Sequence, residues 1–249
     1  MNGCVIFCFI FASLLASVVR ASSNARQSKY ILGGSGHPNK DSTSAVIASG
    51  ANHVRVYLLW RYVQPTLSSV DQSLRVAQLR HDPARVAQWA AQQDWRDHDL
   101  RCSFYEHTSV QLIGEVGEGT LNGLPRLASG EVFDPNVVGD ETYLAYLYLS
   151  SRGIVSRYKH KISKWQIENE LNEAYLASIG GQRRFQVIES RWSDMAFLTR
   201  VLQTLVWAVK DEQPGGIALQ NVHTDVPLWV HDVLLLPGYY EQAVRAWTP

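Results

Sequence analysis

The sequence predicts an α/β fold on a parallel sheet, with about five β/α units in the chain. Two observations carry this. Short apolar, β-like runs alternate with longer stretches of helical periodicity, the pattern of strands joined by crossover helices. The length of 249 residues is that of a complete (β/α)8 domain. The balance of 46% hydrophobic to 18% charged residues is that of a globular chain, neither disordered nor fibrous.

The first unit opens with a strand at Lys29–Gly34, followed by a glycine-rich loop and a short helix over Ser42–Ser49. Val54–Trp60 reads as the second strand, and Pro65 closes its loop. Pro83–Trp95 follows as a helix with Val86, Trp89 and Ala90 on one face. Asp82 before Pro83 is an N-cap followed by proline at the first helical position. Val110–Val116 is the third strand, with a loop from Gly117 to Gly123 and a helix over Glu141–Tyr158. The fourth strand is Ser163–Glu168, and a long helix follows over Arg191–Asp211. Met195, Leu198, Leu202, Leu205 and Val209 of that helix keep the spacing of one apolar face. Ile217–Val222 is the fifth strand, and Pro227–Trp247 is at least partly helical.

Cys4–Val19 is almost unbroken apolar sequence, short for a membrane span. With small residues near Ala21 and Ser22, residues 1–21 read as a signal peptide. Residues 22–249 are then a secreted domain with no membrane contact after cleavage; the alternative is a retained signal anchor. Of the three cysteines only Cys102 lies beyond this leader, so no intrachain disulfide and no cysteine-based metal site is expected. The eight histidines are scattered and form no HxxxH pair, so neither metal nor cofactor is expected. A formal charge of zero argues against nucleic acid or an anionic membrane as partner.

The chemistry concentrates in Trp165-Gln166-Ile167-Glu168-Asn169-Glu170-Leu171-Asn172-Glu173, where an apolar strand runs into three carboxylates and two amides. Crowded carboxylates repel, and the crowding raises the pKa of one member, as a general acid requires. In an α/β barrel, strand C-terminal ends and the loops beyond them carry function. The alternative is an acidic helix N-terminus favoured by the helix dipole.

The pattern Trp-x-Ile-x-Asn-Glu-x-Asn closing a fourth strand resembles the acid/base motif of clan A glycoside hydrolases, which include cellulases, β-mannanases and β-galactosidases. The resemblance implies a (β/α)8 TIM barrel, a retaining mechanism and a carbohydrate substrate. Glu170 matches the acid/base, and Asn169 matches the residue that binds the sugar 2-hydroxyl. The acid protonates the leaving oxygen while a second carboxylate, about 5–5.5 Å away, attacks the anomeric carbon. Arg55 stands where the clan often has a second-strand arginine near the nucleophile; its alternative is a barrel-end ion pair. Trp60 resembles a residue of the loop after strand 2, placed to stack on sugar, with a core role as the alternative. Glu115 ends the third strand, as a cleft residue or a solvated loop acid, and Glu118 follows it. His223 ends the fifth strand and is placed either to bond sugar hydroxyls or to sit on the surface.

The clan takes its nucleophile from a seventh strand. Five strands are counted here, and the remaining units need roughly 100 further residues. The expectation is therefore a front portion of a retaining O-glycosidase with little hydrolytic activity in this chain. The alternative is a catalytically inactive, carbohydrate-binding barrel fragment.

Overall fold

The computed structural model describes residues 33–35, 40–117, 123–169, 171, 189–192 and 194–220. In chain order the elements are β1 (Gly33–Ser35), α1 (Lys40–Ala48), β2 (His53–Tyr57), α2 (Trp60–Val63), β3 (Thr66–Leu67), α3 (Val76–Arg80), α4 (Pro83–Ala91) and α5 (Arg96–Ser103). They continue with β4 (Gln111–Val116), β5 (Arg126–Leu127), α6 (Pro135–Val138), α7 (Asp140–Tyr158), β6 (Ile162–Ile167), α8 (Glu189–Trp192), α9 (Met195–Glu212) and β7 (Ile217–Leu219). The main sheet has the order β1-β2-β4-β6-β7, with every pair parallel. These five strands are the five units expected from the sequence. Among the described residues the sheet does not close, and β1 and β7 form its two edges. A small parallel ribbon, β3 with β5, joins the loops that follow β2 and β4.

The two faces of the sheet differ. Val54, Val56, Leu58, Leu112, Val116, Trp165 and Ile167 are buried on the face covered by helices. Arg55, Tyr57, Glu115, Lys164 and Gln166 alternate with them and so project from the opposite face, as the two-residue period of a strand requires. α7 packs against α9, α4 and α3, and every residue from Thr142 to Val155 is buried. Such a helix is apolar around most of its circumference because it has no solvent side. Two glycines permit the close packing. A Cβ on Gly153 of α7 lies 2.5 Å from Trp89 Cζ3, and one on Gly114 of β4 lies 2.6 Å from Trp165 Cζ3. Arg152 fastens the helices. Its guanidinium meets Glu212 at 3.1 Å, donates to Tyr148 OH at 2.9 Å, and reaches the carbonyls of Leu79 and Arg80.

Several boundaries differ from those read in the sequence. The second strand stops at Tyr57, and Trp60 opens a short helix instead of ending the strand. The helix beginning at Pro83 has the expected cap, with the Asp82 carboxylate accepting from Arg85 N–H at 2.9 Å. It ends at Ala91, and a separate helix begins at Arg96, whose N–H donates to Asp94 Oδ1 at 3.1 Å. The long helix starts at Met195, because the Asp194 side chain accepts from the N–H groups of Ala196 and Phe197. Residues 29–32, the leader and the segment 227–247 lie outside the described residues. No helix among the described residues is long and apolar enough to cross a membrane. Cys102 is buried, and desolvation pushes its thiol up to about 12, far from the range of a reactive thiolate.

Candidate functional site

β2, β4 and β6 bring Arg55, Glu115, Gln166 and Asn169 together on the polar face of the sheet. Register explains the meeting. Tyr57, Glu115 and Gln166 are lateral neighbours across the three strands, and Arg55 lies one face-repeat below. Its long side chain reaches up into their layer. One Nη1 donates to Gln166 Oε1 at 3.1 Å and to Asn169 Oδ1 at 2.9 Å. Nη2 donates to Tyr57 OH at 2.5 Å, and Cζ lies 4.8 Å from the centre of that ring. Nε approaches Glu115 Oε2 at 3.2 Å. That contact is an ion pair whose angle is not that of a hydrogen bond. Glu115 is wholly buried, so it balances the arginine and does not line an open cleft. Of the two readings of Arg55, a place near a nucleophile and an ion pair, the described residues show the ion pair, with Glu115.

Asn169 reaches this cluster through a backbone device. Glu168 follows the last residue of β6 with φ +56°, a left-handed conformation that few side chains adopt. In a continuing strand residue 168 would share a face with Gln166, and 169 would point away. The left-handed residue resets the alternation, so Asn169 returns to the side of Gln166. Gln166 Nε2 then donates to Asn169 Oδ1 at 3.2 Å and to the Glu168 carbonyl at 3.1 Å. With Oδ1 accepting from both Arg55 and Gln166, the plane of the amide is fixed on this face.

Glu168 itself is fully buried on the helix side. Its N–H donates to Val116 O at 2.9 Å. Its carboxylate lies against Gly117, where an added Cβ would stand 2.9 Å from Oε1 and 3.0 Å from Leu205 Cδ1. Gly117 is also left-handed, at φ +99°. Glycine is required there by both the backbone and the crowding. The charge of Glu168 also raises the Tyr143 hydroxyl well above its usual range, after the larger effect of burial.

Below the cluster on the same face, the Lys164 ammonium donates to Gln111 Oε1 at 2.9 Å, and His53 Nδ1 lies 2.7 Å from Asn52 Oδ1. Burial, and secondarily Lys164, lowers the His53 pKa. Among the described residues no group of three or more histidine, cysteine, aspartate or glutamate side chains could hold a metal ion.

Of the residues singled out in the sequence, Arg55, Glu115 and Asn169 meet. Glu170, Glu118 and His223 lie outside the described residues. Trp60 does not join the site. It is 2% exposed, edge-on to Phe133 and stacked with Tyr146, with its indole N–H on Gln64 Oε1 at 3.0 Å. Its ring has no open face to offer a sugar, and it belongs to the core. Tyr57 and Gln166 were missed. Their signal was strand periodicity, because Tyr57 stands two residues from Arg55 and Gln166 falls inside the acidic motif.

No protein-family model matches the sequence, and no curated protein matches it. Solved structures match it in fold. The β-glycosidase from the hyperthermophile Thermosphaera aggregans aligns with a TM-score of 0.51 at 14% identity, over 72% of this chain and 42% of that one. Xylanase B from Clostridium stercorarium F9 aligns with a TM-score of 0.50 at 18% identity, over 84% of this chain and 57% of that one. The chain thus spans about half the length of these structures. At such identities the likeness concerns fold, and the fold is that of a (β/α)8 barrel whose sheet is open over the described residues.

Proposed function

We propose that this chain is a glycoside-hydrolase-like barrel whose site, at the C-terminal ends of β2, β4 and β6, receives a β-linked glycan, with Glu170 as the proton donor. The observation that carries the reading is the arrangement of Asn169. Its carbonyl oxygen is held by Arg55 and Gln166, which fixes the amide at the strand end, one residue before Glu170. An amide fixed in this way suits recognition of a sugar hydroxyl next to the scissile bond. The resemblance of Trp165–Asn172 to the clan A motif supports the same roles, and the glycosidase names of the matching folds agree with it. In that chemistry Glu170 protonates the departing oxygen, and Arg55 and Asn169 orient the sugar and balance charge around it.

Retention needs a second carboxylate about 5–5.5 Å from the first. The described sheet carries five strands, and no seventh strand is among them to supply one. That observation favours a second reading, a barrel that binds the glycan without cleaving it. Incubating the full chain with an aryl β-glycoside, beside Glu170→Gln, separates the two. Hydrolysis abolished by Glu170→Gln supports the enzyme. Glycan binding without hydrolysis supports the binding barrel, and neither binding nor hydrolysis removes both. Export is part of the proposal, and N-terminal sequencing of secreted protein is expected to start near Ser22.

A further inference from the structure

Away from the strand-end cluster, the ribbon of β3 and β5 and the short helix α2 enclose a cleft of about 560 Å³. Arg61, Tyr62, Pro65, Thr66 and Arg126 are among the residues that line it, and among the described residues no aspartate or glutamate does. Backbone bonds set the two arginines on this one cleft. Arg61 N–H donates to Gly123 O at 3.0 Å, and Arg126 N–H donates to Pro65 O at 2.9 Å. Thr66 and Arg126 are register partners in the ribbon.

Neither guanidinium is neutralised by a described residue. Arg61 Nη2 donates to Tyr62 OH at 3.2 Å, and its Cζ lies 5.0 Å from that ring's centre. Arg126 Nη1 donates to Gly130 O at 2.7 Å. Two carboxylates nearby have other partners and form no ion pair with either arginine among the described residues. Glu131 accepts from Ser129 Oγ at 3.0 Å, and Asp97 pairs at 2.5 Å with Arg101, whose Cζ is also 5.0 Å from the Tyr62 ring. Elsewhere in the protein Arg80, Arg152, Arg157 and Arg191 have carboxylate partners. Two unneutralised guanidiniums on one concave surface form a site for an anion, because each presents a planar fork matched to carboxylate or sulfate oxygens.

We propose that this cleft binds the anionic group of an acidic saccharide, a uronate carboxylate or a sulfate ester. The argument for a saccharide rests on the proposed glycan-binding function. The cleft is built from the loops that leave the C-terminal ends of β2 and β4, the same end of the sheet that carries Asn169. A chain lying across that end meets both places. The cleft then selects for charge, while the strand-end cluster engages the sugar that reacts.

The test is calorimetric titration of the full chain with four probes: oligogalacturonate, sulfated dextran oligosaccharide, neutral cello-oligosaccharide and poly-glutamate. The expected result is binding of an acidic saccharide that weakens with salt and falls about tenfold or more in Arg61→Gln/Arg126→Gln, two charge-assisted contacts being lost. The acidic probe that shows the loss distinguishes carboxylate from sulfate. Arg85→Gln/Arg200→Gln removes the same charge outside the cleft and is expected to leave affinity unchanged. Thr66→Asp keeps both arginines, places a carboxylate among them, and is expected to weaken acidic probes alone. Acidic-saccharide binding indifferent to the cleft variants overturns the proposal. So does poly-glutamate binding of equal strength and equal sensitivity to them. Binding of the neutral oligosaccharide with no acidic preference overturns the cleft proposal and leaves the glycan reading standing, whereas binding of no saccharide removes both.

Discussion

Replacing Arg55 by lysine and by methionine separates the two tasks of its guanidinium. The side chain donates to Gln166, Asn169 and Tyr57, and it is the cation beside the wholly buried Glu115. Lysine keeps the charge but has one compact head on a different stem, so it cannot serve these three acceptors together. Losing charge-assisted hydrogen bonds of this kind costs about 1.5–3 kcal/mol. Methionine loses the bonds and also strips Glu115 of this ion pair, and breaking a buried pair from one side costs about 3–5 kcal/mol. At roughly 2–4 °C per kcal/mol for a domain of this size, Tm is expected to fall by about 4–10 °C for lysine and clearly further for methionine. Urea denaturation with an unchanged m-value gives the free energies. The difference between the two variants separates the causes, because only methionine leaves the buried Glu115 without this cation. If both variants stay within about 0.5 kcal/mol of the parent, the range of an ordinary surface change, Arg55 does not hold the cluster together.

Three further outcomes follow from the same coordinates. His98 is wholly buried, donates through Nε2–H to Leu59 O at 3.1 Å, and is held down to about 4 from 6.5 by desolvation, which Asp97, the Leu59 bond and Asp99 partly oppose and Arg101 slightly reinforces. The unfolded chain therefore takes up this proton first, so stability is full above pH 6.5 and is lost as pH falls toward 4, by on the order of 3 kcal/mol; melting curves of His98→Gln that keep the parental pH slope in this window would refute it. Gly153→Ala gains up to about 1 kcal/mol of helix propensity, but its Cβ meets the Trp89 ring at 2.5 Å, and a net loss of roughly 1–2 kcal/mol in urea is expected, partly relieved by Trp89→Leu. Gly117→Ala combines φ +99° with a carboxylate 2.9 Å away, and it is expected to weaken glycan binding more than a destabilisation of about 1–2 kcal/mol alone accounts for, since Glu168 must move and Asn169 with it.

The sheet order and the long helices were legible because their signals are local and repeated. Asp82-Pro83 marks a helix start wherever it occurs, and the apolar spacing from Leu198 to Val209 persists over several turns. α5 escaped notice because Arg96–Ser103 is mostly charged, and its buried pair, His98 and Cys102, is one i, i+4 contact rather than a stripe. β3 and β5 are two residues each, too short for any period to show. Trp60 carries two readings in the sequence because an aromatic residue near a strand end fits either a sugar platform or a core. Only the positions of Phe133 and Tyr146, more than seventy residues away in the chain, decide between them. Arg55 and Asn169 were identified by their residue types. Tyr57 and Gln166, equally part of the cluster, look like ordinary strand residues until the register aligns them.

What holds Asn169 in place is chiefly the core. The left-handed turn at Glu168 survives because its carboxylate is enclosed on the helix side, against Gly117 and Leu205 and within the field of Tyr143. Leu205 belongs to α9 and Tyr143 to α7, the two helices that pack together most extensively. An unfavourable backbone conformation persists only where its surroundings over-determine it. The amide on the polar face is therefore positioned from behind, through the strand end, by apolar packing on the other face. This explains why the alternation of β6 is broken at that one residue. A regular strand would have sent Asn169 to the helix side and Glu168 to the polar side. The departure from regular geometry exchanges them, placing an amide where a glycan is proposed to bind and keeping a second carboxylate out of that layer.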